Sequence, residues 1–247
     1  MSEEVWRRIA ERKAALDARR PLAPELLARL EAWYEVELTY SSNAIEGNTL
    51  TRSETAIVLE KGLTVRGKPL RDHMEATDHR DALRFVRELA ARDVAPREID
   101  LRSIHGLVLG KTGGEAAGRY SQQPRFVAGS RSTFPEPSAL PALMAEFAAW
   151  LAAAPPSPQV ALDAHLRLVS IHPFADGNGR TARLLMNLVL LRAGYPPLIV
   201  PPERRPDYID SLERAQADGE RAAYDQLMAT LLLESLDRHL ALLEGRP

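Results

Sequence analysis

The chain has 247 residues, 45% hydrophobic and 27% charged, a balance that supports a buried core in a water-facing fold. A formal net charge of -2 excludes the strongly basic face of a dedicated nucleic-acid binder, and the lack of cysteine excludes disulfides, thiolate metal sites and cysteine nucleophiles. Met1-Ser2-Glu3-Glu4 is acidic rather than signal-like, and no apolar run nears the roughly 20 residues of a membrane helix. A cytoplasmic protein with no nucleic-acid or membrane partner is expected.

Helical periodicity dominates and alternating patterns are scarce, which predicts an all-α fold. Residues 6–20 form a charged amphipathic helix that Pro21-Leu22-Ala23-Pro24 breaks. Residues 25–40 resume a helix, and a break falls at Gly47. Thr51-Arg52-Ser53-Glu54 reads as a capping box for a helix running to about Lys61 and stopping at Gly62. Further helices are expected over residues 71–91 and 99–109. Residues 110–134 carry five glycines and the β-prone Arg125-Phe126-Val127, predicting a loop with a small β-hairpin. Residues 139–153 set Leu140, Leu143, Met144, Phe147, Trp150 and Leu151 on one helix face. After a proline-rich linker come helices over 160–171 and 178–193, and two more fill the C-terminal part. The division expected is an N-terminal helical region over 1–95, a core over 96–235 and a helix end or tail over 236–247.

The informative stretch is His172-Pro173-Phe174-Ala175-Asp176-Gly177-Asn178-Gly179-Arg180-Thr181-Ala182-Arg183. Pro173 disfavours helix at His172, so one apolar helix ends there, and another begins before Leu184. Gly177-Asn178-Gly179 permits a close backbone approach to a ligand, and its amides with the new helix N-terminus can make an anion site. Arg180 and Arg183, three apart, share a helix face and can grip phosphates. Asp176 offers a hard oxygen for a phosphate-bound Mg²⁺, and His172 is the nearby group able to take a proton near neutral pH. A base, a metal ligand, an anion nest and two cations equip the loop for attack on a nucleotide phosphate. A glycine-rich turn with solvated charges would leave that combination unexplained.

The stretch resembles the Fic-domain signature His-x-Phe-x-(Asp/Glu)-Gly-Asn-Gly-Arg-x-x-Arg at every fixed position. Residues 164–171, Ala193-Gly194-Tyr195-Pro196-Pro197 and Gly118-Arg119-Tyr120 with Phe126-Val127-Ala128-Gly129 resemble the flanks of that signature and the family's flap hairpin. The resemblance implies an all-α Fic-type helical bundle with a small β-hairpin flap, acting as a protein adenylyltransferase that moves AMP from ATP to a Ser, Thr or Tyr hydroxyl of a target. His172 would be the base and Asp176 the ligand of Mg²⁺ or Mn²⁺. Asn178 and the amides of Gly177 and Gly179 would hold the α-phosphate, Arg180 and Arg183 would hold the β- and γ-phosphates, Thr181 would belong to the same ATP-phosphate site, and Tyr208 and Gln216 would sit at the adenine end. Val127, Ala128, Gly129, Ser130 and Arg131 would form the flap that lays the target alongside the site by strand addition. His105 and His165 read as structural core histidines, and Arg204-Arg205 as a solvated turn.

Ser42 and Glu46 are four apart on one helix face, and Gly47 suits the residue that closes the helix. Ser42-Asn43-Ala44-Ile45-Glu46-Gly47 resembles the family's inhibitory motif, (Ser/Thr)-x-x-x-Glu-(Gly/Asn). That implies autoinhibition by pairing of Glu46 with Arg183, a homodimer through residues 65–70, and in some members removal of AMP by the same glutamate. The target protein, which can be the chain itself, is not legible. The alternatives are a Fic-fold phosphoryl or phosphocholine transferase, a metal hydrolase built on His105, His165, His172 and Asp176, and a non-catalytic regulatory protein.

Overall fold

The computed structural model describes residues 3–126 and 131–245. These carry ten α-helices: α1 (Glu3–Asp17), α2 (Pro24–Ile45), α3 (Arg52–Ala56), α4 (Leu70–Ala90), α5 (Glu98–Val108), α6 (Leu140–Ala153), α7 (Pro158–Ile171), α8 (Asn178–Arg192), α9 (Arg205–Glu213) and α10 (Ala222–Leu243). Local chemistry sets their starts. Thr51 accepts from the Glu54 amide while the Glu54 carboxylate accepts from the Thr51 amide, closing the capping box of α3. Ser157 accepts from the Val160 amide and Pro158 occupies the first turn of α7.

Helix α8 is buried on every side from Arg180 to Leu190, as a helix without a polar face must be. α7 packs most extensively against it, α4, α5 and α2 also contact it, and α1 lies on α10. One apolar cluster runs from Ile9 in α1 to Leu240 in α10, so α1 and α2 share a core with the rest of the bundle. Leu50, Val58 and Ala76 form a second, small cluster beneath the α3 region.

The helical expectation holds, with two departures. α2 continues five residues beyond Tyr40, because Ser41 turns its hydroxyl onto the Glu37 carbonyl at 2.7 Å instead of competing for the backbone. Ser42 and Ile45 therefore lie on the last turn of α2, with Glu46 and Gly47 just past it. Between α5 and α6 there is no strand among the described residues, only one antiparallel bridge pairing Tyr120 with Phe174. Val127, Ala128, Gly129 and Ser130 lie outside the described residues. No helix among the described residues is long and apolar enough to cross a membrane.

Candidate active site

α7 ends at Ile171, and His172 adopts a left-handed conformation (φ 49°, ψ 53°) that a residue with a Cβ occupies only at a cost. Its Nδ1 lies 3.3 Å from the Val169 carbonyl. A carbonyl can only accept, so Nδ1 carries the proton and Nε2 is left as the basic nitrogen. Burial, the largest influence, pulls the His172 pKa below the usual histidine value, and the Arg125 guanidinium adds to the effect. The Phe134 ring packs against the imidazole at 4.4 Å.

The loop after His172 is fixed from several sides. The Asn178 side chain accepts from the Phe174 amide at 2.9 Å and donates to the Phe174 carbonyl at 2.8 Å. The His105 Nδ1 accepts from the Gly118 amide at 3.0 Å, so its Nε2 donates to the Asp176 carbonyl, also at 3.0 Å. The same imidazole stacks on Phe174 at 3.7 Å. Arg125 donates to the Ala175 carbonyl. Gly177 precedes α8 with φ 75°, a value that favours glycine. The first amides of α8 thereby open the helix with no intrahelical partner.

Around these amides lies a cavity of about 400 Å³, walled by His172, Asp176, Gly177, Asn178, Gly179, Arg183, Tyr208, Gln216 and Glu46 among others. Arg183 Nη2 donates to Glu46 Oε1 at 2.8 Å and to the Ser42 carbonyl at 2.9 Å, while its Nε donates to the Ser42 hydroxyl at 3.0 Å. The Glu46 carboxylate lies so close to Gly179 that a Cβ there would overlap it. A carboxylate thus stands between a helix N-terminus and a buried guanidinium, the surroundings that suit a phosphate oxygen.

Arg180, Thr181, Ser42 and Gly47 stand outside the cavity lining. The expected sharing of a ligand-facing side by Arg180 and Arg183 is not found here. Arg180 is 2% exposed and points at Glu75 and Asp176, each 3.5 Å away, because a buried guanidinium needs carboxylate partners. Asn178 spends its side chain on the loop, leaving its backbone amide for a ligand. Tyr208 is in the wall but gives its hydroxyl to His165 Nε2 at 2.7 Å. Gln216 reaches Ser170 at 3.4 Å. Arg131 makes a two-pronged pair with Asp218 at 3.0 and 2.8 Å. Arg205, expected in a solvated turn, donates to the Ile45 carbonyl at 2.7 Å and so clasps the end of α2. Arg125, Phe134 and Glu213 also line the cavity. No local motif marks them, and they reach it only through the fold.

His165 is engaged at both nitrogens, by Tyr208 and Tyr224, and His105 by two backbone groups. No cluster of three or more His, Cys, Asp or Glu able to hold a metal occurs among the described residues. Asp176 is different: its side chain is 56% exposed, it lines the cavity, and it offers one hard oxygen. That suits a Mg²⁺ arriving on nucleotide phosphates, which supply most of their own ligands.

Fold and site together define an α-helical protein with a glycine-containing loop, its backbone amides facing a cavity, between two central helices. Residues 96–190 match the Fic/DOC family. A solved Fic-1 fragment from C. elegans is 30% identical, with a TM-score of 0.87 over 98% of this chain and 73% of its own. The chain belongs to the Fic/DOC family. A Fic domain-containing signaling protein from Bacteroides thetaiotaomicron superposes with a TM-score of 0.88 at 27% identity, covering 97% of this chain and 98% of its own. A curated relative from Nematostella vectensis, named protein adenylyltransferase Fic, is 39% identical over 82% of this chain. The chain spans about half the length of the curated relatives it matches, 48% in that case.

Proposed function

We propose that this protein transfers AMP from ATP to a hydroxyl of a protein and that Glu46 restrains the transfer. The observation that carries the reading is the Glu46 carboxylate seated on Arg183 and Gly179, where a phosphate oxygen would fit. His172 Nε2 takes the proton of the attacking hydroxyl as that oxygen bonds to the α-phosphorus and the bond to pyrophosphate breaks. The amides of Asn178 and Gly179 hold the α-phosphate while its charge develops, the largest single source of stabilisation in such chemistry. Arg183 takes the γ-phosphate once Glu46 leaves, and Arg180 reaches the β-phosphate by exchanging Glu75 for it. Thr181 keeps the first turn of α8 in place. Asp176 would hold Mg²⁺ or Mn²⁺, which when bound neutralises charge on the leaving pyrophosphate. Tyr208 and Gln216 form the wall for the adenine end.

Docking of an extended target segment is assigned to residues 127–131, of which Arg131 pairs with Glu213 of α9 and with Asp218. Exposed Leu63 and Leu70 suit a homodimer through residues 65–70. Residues 1–95 act as the restraining unit on the catalytic core. The presence together of Asp176, Asn178, Arg180 and Arg183, which suit a triphosphate with its α-phosphate inward, favours AMP over phosphoryl or phosphocholine transfer.

The test is transfer of label from α-³²P-ATP to protein, with γ-³²P-ATP as control. Label from the α position alone supports AMP transfer, whereas label from the γ position points to phosphoryl transfer and overturns the proposal.

A further inference from the structure

We infer that Arg71 is a tethered cation occupying Asp176 in the resting protein, and that it sets how readily a metal-bound nucleotide enters. This rests on the reading of Asp176 as the cation-facing carboxylate. Asp176 Oδ1 accepts from the Gly177 amide at 2.6 Å, which leaves Oδ2 for a metal. Arg71 Nη2 stands 3.4 Å from Oδ2, and Arg180 Nη2 stands 3.5 Å from it.

The two guanidiniums are not equivalent. The Arg180 side chain is 3% exposed and belongs to the packed face of α8, whereas that of Arg71 is 63% exposed and reaches in from the first turn of α4. Arg71 can leave into water and Arg180 cannot. What holds Arg71 is Glu75, one turn along α4, which accepts from Arg71 Nε at 2.9 Å. Glu75 is itself buried, and its other oxygen accepts from Asn48 Nδ2 at 3.0 Å.

Asn48 lies two residues after Glu46. The segment 46–48 therefore addresses both halves of a metal–nucleotide. Glu46 supplies an anion to Arg183, and Asn48, through Glu75 and Arg71, supports a cation on Asp176. A divalent ion arriving on Oδ2 must displace Arg71 and meets its positive charge. An exposed charge pair is weak and screened by salt, so the expected effect is about two- to fivefold, a graded brake rather than a second switch.

The experiment measures binding of Mn²⁺·ATP to the full chain by calorimetry and Mn²⁺ paramagnetic resonance. It uses a Glu46→Gly background, in which Arg183 is free for the nucleotide. Adding Arg71→Ala should tighten Mn²⁺·ATP about two- to fivefold at low ionic strength. The gain should shrink at high salt, with no gain for ATP in EDTA and the melting temperature unchanged. Arg71→Lys, which keeps the charge, should stay near the parent. Unchanged or weaker Mn²⁺·ATP binding by Arg71→Ala overturns the inference, the weaker case making Arg71 a phosphate ligand. No Mn²⁺·ATP binding by the Glu46→Gly parent overturns the Asp176 reading and the inference with it.

Discussion

His172 meets two demands that pull against each other. In its proposed role as base it must be neutral to act, and it must sit where α7 stops and the glycine-containing loop starts. Pro173 and the left-handed backbone at His172 solve the second, and burial against Phe134 and Val169 solves the first. Because burial lowers its pKa, His172 stays neutral below the usual histidine range. The acidic limb of a transfer-against-pH profile should therefore fall below pH 6.5, and a limb at or above 6.5 would contradict this environment for the base. His172→Ala should cut AMP transfer by at least about 100-fold, the lower end for loss of a general base, while circular dichroism and ATP binding stay as in the parent. The residues of the 172–183 loop were legible because they are contiguous and each is chemically specific. Phe134 and Arg125 were not: they come from distant segments, and neither carries a chemical mark until folding sets it beside His172 or the loop that follows it.

At the scale of elements, the end of α2 is held to the core at four points: Ser42 and Glu46 on Arg183, Ile45 on Arg205, and Asn48 on α4. Removing one partner of a buried charge pair commonly costs about 3–5 kcal/mol. Here the cost should be smaller, since Arg183 keeps both bonds to Ser42 and faces a cavity that water or nucleotide can enter. Glu46→Gly is thus expected to raise AMP transfer at least about tenfold, the effect of about 1.4 kcal/mol, with little change in melting temperature. Arg183→Ala added to it should cancel the gain, as label incorporation will record. Arg205→Ala removes one hydrogen bond of roughly 1 kcal/mol, so it should raise transfer by up to about fivefold with Glu46 intact. No rise would mean that the clasp on Ile45 does not restrain the segment. Most helices could be read from period and caps. The end of α2 could be read from the spacing of Ser42, Glu46 and Gly47, although Ser41 looks like a polar break until it bonds back to Glu37.

Across the whole molecule, one apolar cluster joins α1 to α10, and His79, His105, His165 and His239 are among the histidines buried within or beside it. Burial lowers the pKa of His79 and His165 to about 3 and that of His105 to about 4. The unfolded chain takes up these protons near pH 6.5 while the folded chain does not. Their contribution is therefore complete above pH 6.5 and is lost as pH falls towards 4, at up to about 1.4 kcal/mol per pH unit for each histidine. Thermal melts should show stability dropping steeply between pH 6.5 and 4, and replacement of His105 by Gln should flatten that slope. A melting temperature constant over the interval would contradict the neutral buried histidines. His105 and His165 could be assigned to the core from sequence, but their partners could not, since Gly118, Asp176, Tyr208 and Tyr224 come from four separate segments.

Transfer of AMP at the 172–183 loop under restraint by Glu46 is read out by intact-protein mass after incubation with ATP and Mg²⁺. Wild type, Glu46→Gly and the Glu46→Gly/His172→Ala double variant are compared side by side. Glu46→Gly should gain the mass of AMP, wild type should gain little and the double variant none. Equal modification of wild type and Glu46→Gly, or a gain that survives loss of His172, would contradict this mechanism.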